Sequence, residues 1–176
     1  MGAKKEIAEL ILAVIAALAA YQAAGFLLGT GVPVTSVVTG SMEHSSDFDG
    51  WWQMNQYKYS QLNITREDFL SFPYKKGLYV GDIVIVKKTD DIKKGDVIVY
   101  HPAEGCFDNV PPKATIIHRV ISTDPLVTKG DNNDNPDTLN RRMDGKTCIV
   151  AIEGKAIAAL PLLGYPRTVL FRIAGI

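Results

Sequence analysis

Three places in this 176-residue chain concentrate side chains that could do chemistry. The first is Thr39-Gly40-Ser41-Met42, where Gly40 lets the backbone turn tightly and a substrate approach. A serine hydroxyl is almost fully protonated at neutral pH, so Ser41 needs a base before it can act as a nucleophile. The second is His118, the one histidine of three that lies inside an apolar run, ATIIHRVIS. An imidazole there reads either as a half-buried structural group or as a general base. Arg119, next along, would point to the opposite face and pair with a carboxylate. The third is the run from Lys129 to Asp137, KGDNNDNPD. Its aspartates Asp131, Asp134 and Asp137 read as turn chemistry, as a calcium loop, or as the acid that orients a catalytic histidine. The calcium template fails on two positions, since Pro136 stands where a glycine is needed and Arg142 where a bidentate glutamate should be. The order Ser, His, Asp is not that of the familiar soluble serine proteases, but a triad is defined by geometry. His44, three residues after Ser41, is the rival base.

Strands must position these groups. Apolar runs rich in Val and Ile predict strands over residues 78–88, 95–101 and 114–122, with a short one at 126–129 and two more at 147–152 and 155–160. Residues 32–38 are β-branched but carry Pro33, which predicts an edge or first strand. Ser41 therefore follows a strand, His118 sits within one, and the aspartates follow another. Residues 44–77 differ, with Trp51, Trp52, Tyr57, Tyr59, Phe69, Phe72 and Tyr74 in a polar background. They read as an insertion with one short helix at 65–71, where Thr65 and Asp68 approximate a capping box. Their aromatics form either a small core or a surface patch for lipid or a partner.

Composition limits the classes of function. Lys and Arg number 19 and so do Asp and Glu, giving no net charge, which argues against a nucleic-acid partner. Two cysteines make neither a disulfide framework nor a paired-cysteine metal site. Outside the cytoplasm, Cys106 and Cys148 could pair; two free buried thiols are the alternative. Between Glu9 and Glu43 no charged residue occurs, and residues 10–28 read LILAVIAALAAYQAAGFLL. About 20 helical residues cross a bilayer core of about 30 Å. The length favours an uncleaved membrane anchor over a signal peptide, whose apolar region is shorter, or a buried core helix. Lys4 and Lys5 precede the span and none follows closely, which predicts a cytoplasmic N-terminus. The expected division is an N-terminal tip and anchor over 1–29 and an extracytoplasmic β domain over 30–176. Asn63-Ile64-Thr65 is an N-x-T sequon, meaningful only on that outer side.

In this frame the chain resembles the type I signal peptidases, specifically their archaeal and endoplasmic-reticulum branch. The resemblance rests on an N-terminal anchor followed by VVTGSME, GDIVIVKK, KKGDVIVYHP, IIHRVIS, TKGDNNDNPD and PLLGY, ordered blocks spanning residues 37–165. It implies a mainly β, signal-peptidase-like domain on a single N-terminal transmembrane helix. It also implies a serine endopeptidase that removes signal peptides from secreted preproteins, cutting after small residues at −1 and −3 through an acyl-enzyme. Ser41 would be the nucleophile, His118 the base in place of the bacterial lysine, Asp137 the triad acid and Asp131 a supporting carboxylate. The Ser41 N–H and the Thr39 hydroxyl would form the oxyanion hole. The chain departs from the family pattern after Ser-Met, where Glu43-His44 stand in place of the usual proline. No cofactor or metal is implied. The implied partners are preprotein signal peptides, the lipid bilayer and the secretion translocon. The alternatives are a non-catalytic tethered β domain that binds a partner through residues 44–77, a self-cleaving repressor peptidase, and a calcium-binding adhesion domain.

Overall fold

A computed structural model describes residues 2–103, 106, 114–137, 149–161 and 163. The N-terminal helix α1, Gly2–Leu28, is 27 residues long, about 40 Å at the usual rise. It is long and apolar enough to span a membrane. Its apolar side chains, among them Leu10, Leu12, Leu18, Phe26 and Leu27, are exposed. Where it ends, Gly29 adopts a left-handed φ of 68°, a conformation that suits a residue without Cβ. The Lys88 N–H donates to the Leu28 carbonyl at 2.9 Å, so the helix end is bonded directly to the sheet.

The rest is built on one six-stranded sheet: β1 Val34–Ser36, β2 Ile83–Lys87, β3 Val97–Pro102, β4 Ile116–Thr123, β5 Leu126–Lys129 and β6 Ile149–Leu160. Their order across the sheet is β1-β2-β6-β3-β4-β5, and every pairing is antiparallel. The unbroken run VIVY makes sense because both faces of β3 are covered, whereas in IVIV of β2 only Val84 and Val86 are fully buried and Ile83 and Ile85 are half-buried. One face carries Val84, Val86, Val97, Val99 and Ile117, and the other Ile98, Tyr100 and Val120. As expected, β1 with its preceding proline is an edge strand.

Three expectations are corrected. The region 147–152 and 155–160 holds one strand: β6 runs through Glu153 and Gly154. There the pairing with β3 shifts register, and the pairing with β2 shifts farther along, between Ala156 and Ala158. Gly154 (φ 158°) lies so close to the Lys87 carbonyl that a Cβ would sit 2.3 Å from it. Glycine therefore marks a bulge here and not a turn. The predicted strand over 78–88 is shorter, because residues 78–82 form the turn that receives the chain after β1: Val37 N–H donates to Asp82 O and Gly81 N–H to Val37 O. Residues 44–77 hold two helices. The predicted one is α3, Arg66–Ser71, with both halves of the Thr65–Asp68 capping box formed. The missed one is α2, Phe48–Ser60, capped by Asp47. Of the two readings of the aromatics, the small core prevails: Trp51, Trp52, Tyr59 and Phe69 are buried together, while Tyr57 is exposed.

Candidate active site

Ser41 lies in a single 3₁₀ turn, Gly40–Met42. Thr39 precedes it in extended conformation and makes no side-chain cap. The Thr39 hydroxyl instead lies 3.3 Å from Ser41 Oγ. The turn is held from two sides. Leu78 N–H donates to Met42 O at 3.0 Å, and Val80 N–H donates to the Glu43 carboxylate at 2.9 Å. Opposite, Asn132 donates its N–H to Ser41 O at 2.8 Å and its Nδ2 to Gly40 O at 3.1 Å. The loop after β5 thus grips the backbone of the candidate nucleophile.

His118 is buried on β4 beside Tyr100. Its Nδ1 lies 2.7 Å from Asp137 Oδ2. A carboxylate can only accept, so Nδ1 carries the proton and Nε2 is left as the acceptor. Two more donors converge on the same carboxylate oxygen, Tyr100 OH at 3.0 Å and Thr128 Oγ1 at 2.6 Å. Burial and the Asp137 charge push the Tyr100 phenol far up, so it stays a donor. Nε2 faces Gly130. A Cβ on that residue would lie 2.8 Å from His118 Nε2 and 2.8 Å from the Ser41 carbonyl oxygen. The imidazole and the nucleophile turn are therefore neighbours across a glycine that leaves no room for a side chain.

Asp131 belongs to a different network. Arg119, on the opposite face of β4 from His118, donates Nε and Nη2 to its two carboxylate oxygens at 2.8 Å each. This is the bidentate geometry that a guanidinium favours, and it is the carboxylate pairing expected for Arg119. Tyr59 OH donates to Asp131 Oδ1 at 3.1 Å, and His44 Nε2 lies 3.1 Å from Oδ2. Burial alone would raise the Asp131 pKa, but the Arg119 guanidinium overrides it and holds the carboxyl well below the usual range. Burial works against the Arg119 charge, yet Asp131 keeps it firmly protonated. His44 is stacked flat on Trp51, with ring centres 3.6 Å apart. The structure thus commits the rival base to the aromatic core and to Asp131. Asp134 is exposed and pairs with Lys58 at 2.8 Å.

The three aspartates of the loop therefore diverge to Arg119, Lys58 and His118. Among the described residues no group of His, Cys, Asp or Glu is placed to hold a metal ion. Lys129 is fully buried, donating to the carbonyls of Gly130 at 3.0 Å and Asp131 at 3.3 Å. Its ammonium lies 4.6 Å from the centre of the Tyr59 ring. Burial, only partly offset by Asp131, brings its pKa down to about 8. Cys106 is disulfide-bonded; the only other cysteine in the sequence, Cys148, lies outside the described residues, as do Arg142 and the end of the PLLGY block.

Sequence reasoning missed Tyr59, Tyr100, Thr128 and Asn132, the donors that fix the two aspartates and the Ser41 turn. Only Asn132 carried a signal, as a member of the polar loop; the others look like ordinary strand or helix residues until the sheet aligns them. Neither a protein-family model nor a curated protein matches this chain.

Proposed function

We propose that the chain is a membrane-anchored serine endopeptidase that removes N-terminal signal peptides from secreted preproteins. One observation carries the reading: the buried His118–Asp137 hydrogen bond of 2.7 Å, whose imidazole leaves Nε2 as acceptor toward the turn that bears Ser41. That is the base-and-orienter half of a Ser-His-Asp triad. Ser41 Oγ attacks the scissile carbonyl while His118 Nε2 takes its proton. The proton passes to the leaving amine as the C–N bond breaks, and water then hydrolyses the acyl-enzyme in the same way. Asp137 keeps the imidazole in the useful tautomer and stabilises the imidazolium. The first N–H groups of a helical turn have no acceptor within it, so the Ser41 N–H is available to a developing oxyanion. The Thr39 hydroxyl is the second donor.

A lysine base, as in the bacterial branch, is disfavoured. Lys129 Nζ is occupied by two backbone carbonyls and sits against Tyr59. Among the described residues the β1 strand pairs only with β2, and it runs directly into Thr39–Ser41. Its other edge suits an extended peptide added as a further strand. In the membrane reading, α1 spans the bilayer with Lys4 and Lys5 on the cytoplasmic side. The signal-peptidase-like domain then stands outside, where the anchor keeps enzyme and preprotein in one thin layer and raises their effective concentration. The reading of residues 44–77 as a partner-binding patch gains no support, because their largest aromatics are inside.

The test is cleavage of a small preprotein in liposomes by the purified full chain. Wild type should release a mature protein with a free N-terminus, and Ser41→Ala should release none. Equal cleavage by both would reject Ser41 as the nucleophile.

A further inference from the structure

Asn63 stands in the short link between α2 and α3. Its backbone is left-handed, with φ 52°. The link is fixed by Asn63 N–H to Ser60 O at 3.1 Å and Ile64 N–H to Tyr59 O at 3.0 Å, which is how a helix ends on a left-handed residue. The Asn63 carbonyl is held by Lys94 Nζ at 3.0 Å. Its carboxamide is exposed and makes no hydrogen bond among the described residues. It lines an open groove of about 830 Å³ whose other walls include Trp52, Gln56, Tyr57, Ser60 and Arg66. The exposed Tyr57 ring beside amide, hydroxyl and guanidinium groups suits a sugar ring, which presents C–H faces and a rim of hydroxyls. The adjoining face of α2 leaves Met54 and Tyr57 more than half exposed.

From the sequon, the free carboxamide and the groove together, we infer that Asn63 is a site of N-linked glycosylation, with the first sugars lying along the groove. The inference rests on the outward orientation proposed above. The donor is an oligosaccharide carried on a polyprenyl phosphate. The Asn63 Nδ2–C1 bond forms, the C1–O bond to the lipid phosphate breaks, and the amide proton leaves to solvent. In the folded chain the Thr65 hydroxyl is engaged with Asp68 Oδ2 at 2.9 Å and Asp68 N–H at 3.1 Å. The transferase needs that hydroxyl at the sequon, so transfer precedes closure of the α3 cap.

The full chain is synthesised with endoplasmic-reticulum microsomes and its intact mass measured. Two companions are Asn63→Asp and a control carrying Thr89→Asn with Asp91→Thr, which places a second sequon in the exposed turn between β2 and β3. Wild type should gain one oligosaccharide, the control two, and Asn63→Asp none. A control modified only at its new sequon would overturn the inference while leaving the orientation standing. No oligosaccharide on any form would overturn both. A mass gain that survives Asn63→Asp would place the sugar elsewhere and also reject it.

Discussion

Lys129 shows how far a single buried charge shapes this molecule. Its folded pKa of about 8 lies below the roughly 10.4 of an unfolded lysine. Between those values the unfolded chain binds more protons than the folded one, so stability rises with pH. Unfolding free energy should therefore climb between pH 8 and 9.5, at about 1.4 kcal/mol per unit at most. Urea titrations of wild type against Lys129→Met would show the climb in the first and its absence in the second. A flat wild-type profile would mean that the ammonium is better solvated than its burial indicates. Asp131 gives the same slope in acid: its depressed pKa contributes stability above about pH 4 that is lost as acid protonates it. In the sequence, Ser41, His118 and the aspartate loop were legible because reactive types stood next to glycine or inside a strand pattern. Which aspartate served which partner was not, since spacing along a loop does not say where each side chain points.

The loop after β5 and the turn after β1 act as one device. Asn132 ties their backbones, and Gly130 lets the imidazole reach between them. Gly130→Ala places a methyl 2.8 Å from both His118 Nε2 and the Ser41 carbonyl, and the backbone carbonyl cannot swing aside as a flexible side chain would. Cleavage should fall by at least two orders of magnitude, since about 1 Å of displacement costs on that scale. Circular dichroism of the same preparation should remain native. A variant cutting at the wild-type rate would mean that the two segments are not held as described. Strand existence was readable from apolar runs bounded by turn residues. The fusion of two expected strands into β6 was not, because Glu153-Gly154 looks like a turn until the bulge opposite Val99 and Tyr100 is seen. The α2 helix escaped because its buried residues Trp51, Trp52, Asn55 and Tyr59 mix polar with aromatic types and mask the helical period. The capping box of α3 was visible because it is a local pattern with a local cause.

Over the whole molecule, the apolar helix and the sheet are joined by short polar contacts. Tyr21 OH donates to Gly31 O at 3.3 Å. The Thr30 hydroxyl donates to Glu153 at 2.9 Å, and His101 Nε2 lies 3.2 Å from the same carboxylate. None of these touches Ser41, His118 or Asp137. A chain lacking residues 2–28 should keep its cleavage rate on a short soluble peptide and lose most of it on a preprotein embedded in liposomes. Parallel rates on both substrates would remove the argument that the anchor concentrates enzyme on its substrate. The apolar helix was the plainest message of the sequence, a long charge-free run. The joint was not, since it depends on β6 bringing Glu153 beside residues more than a hundred positions away.

In the proposed mechanism His118 and Asp137 activate Ser41 while Asp131 holds the scaffold. Asp137→Asn and Asp131→Asn, assayed side by side on one preprotein below their melting points, test it most directly. Asp137→Asn should fold as the wild type does and cut about 10³- to 10⁴-fold more slowly. Asp131→Asn leaves Arg119 buried without its counter-charge and should lose roughly 3–5 kcal/mol of stability. Where still folded, it should cut within about tenfold of wild type, less than one triad member is worth. A wild-type rate in Asp137→Asn would mean that Asp137 is not the group that orients His118 for catalysis.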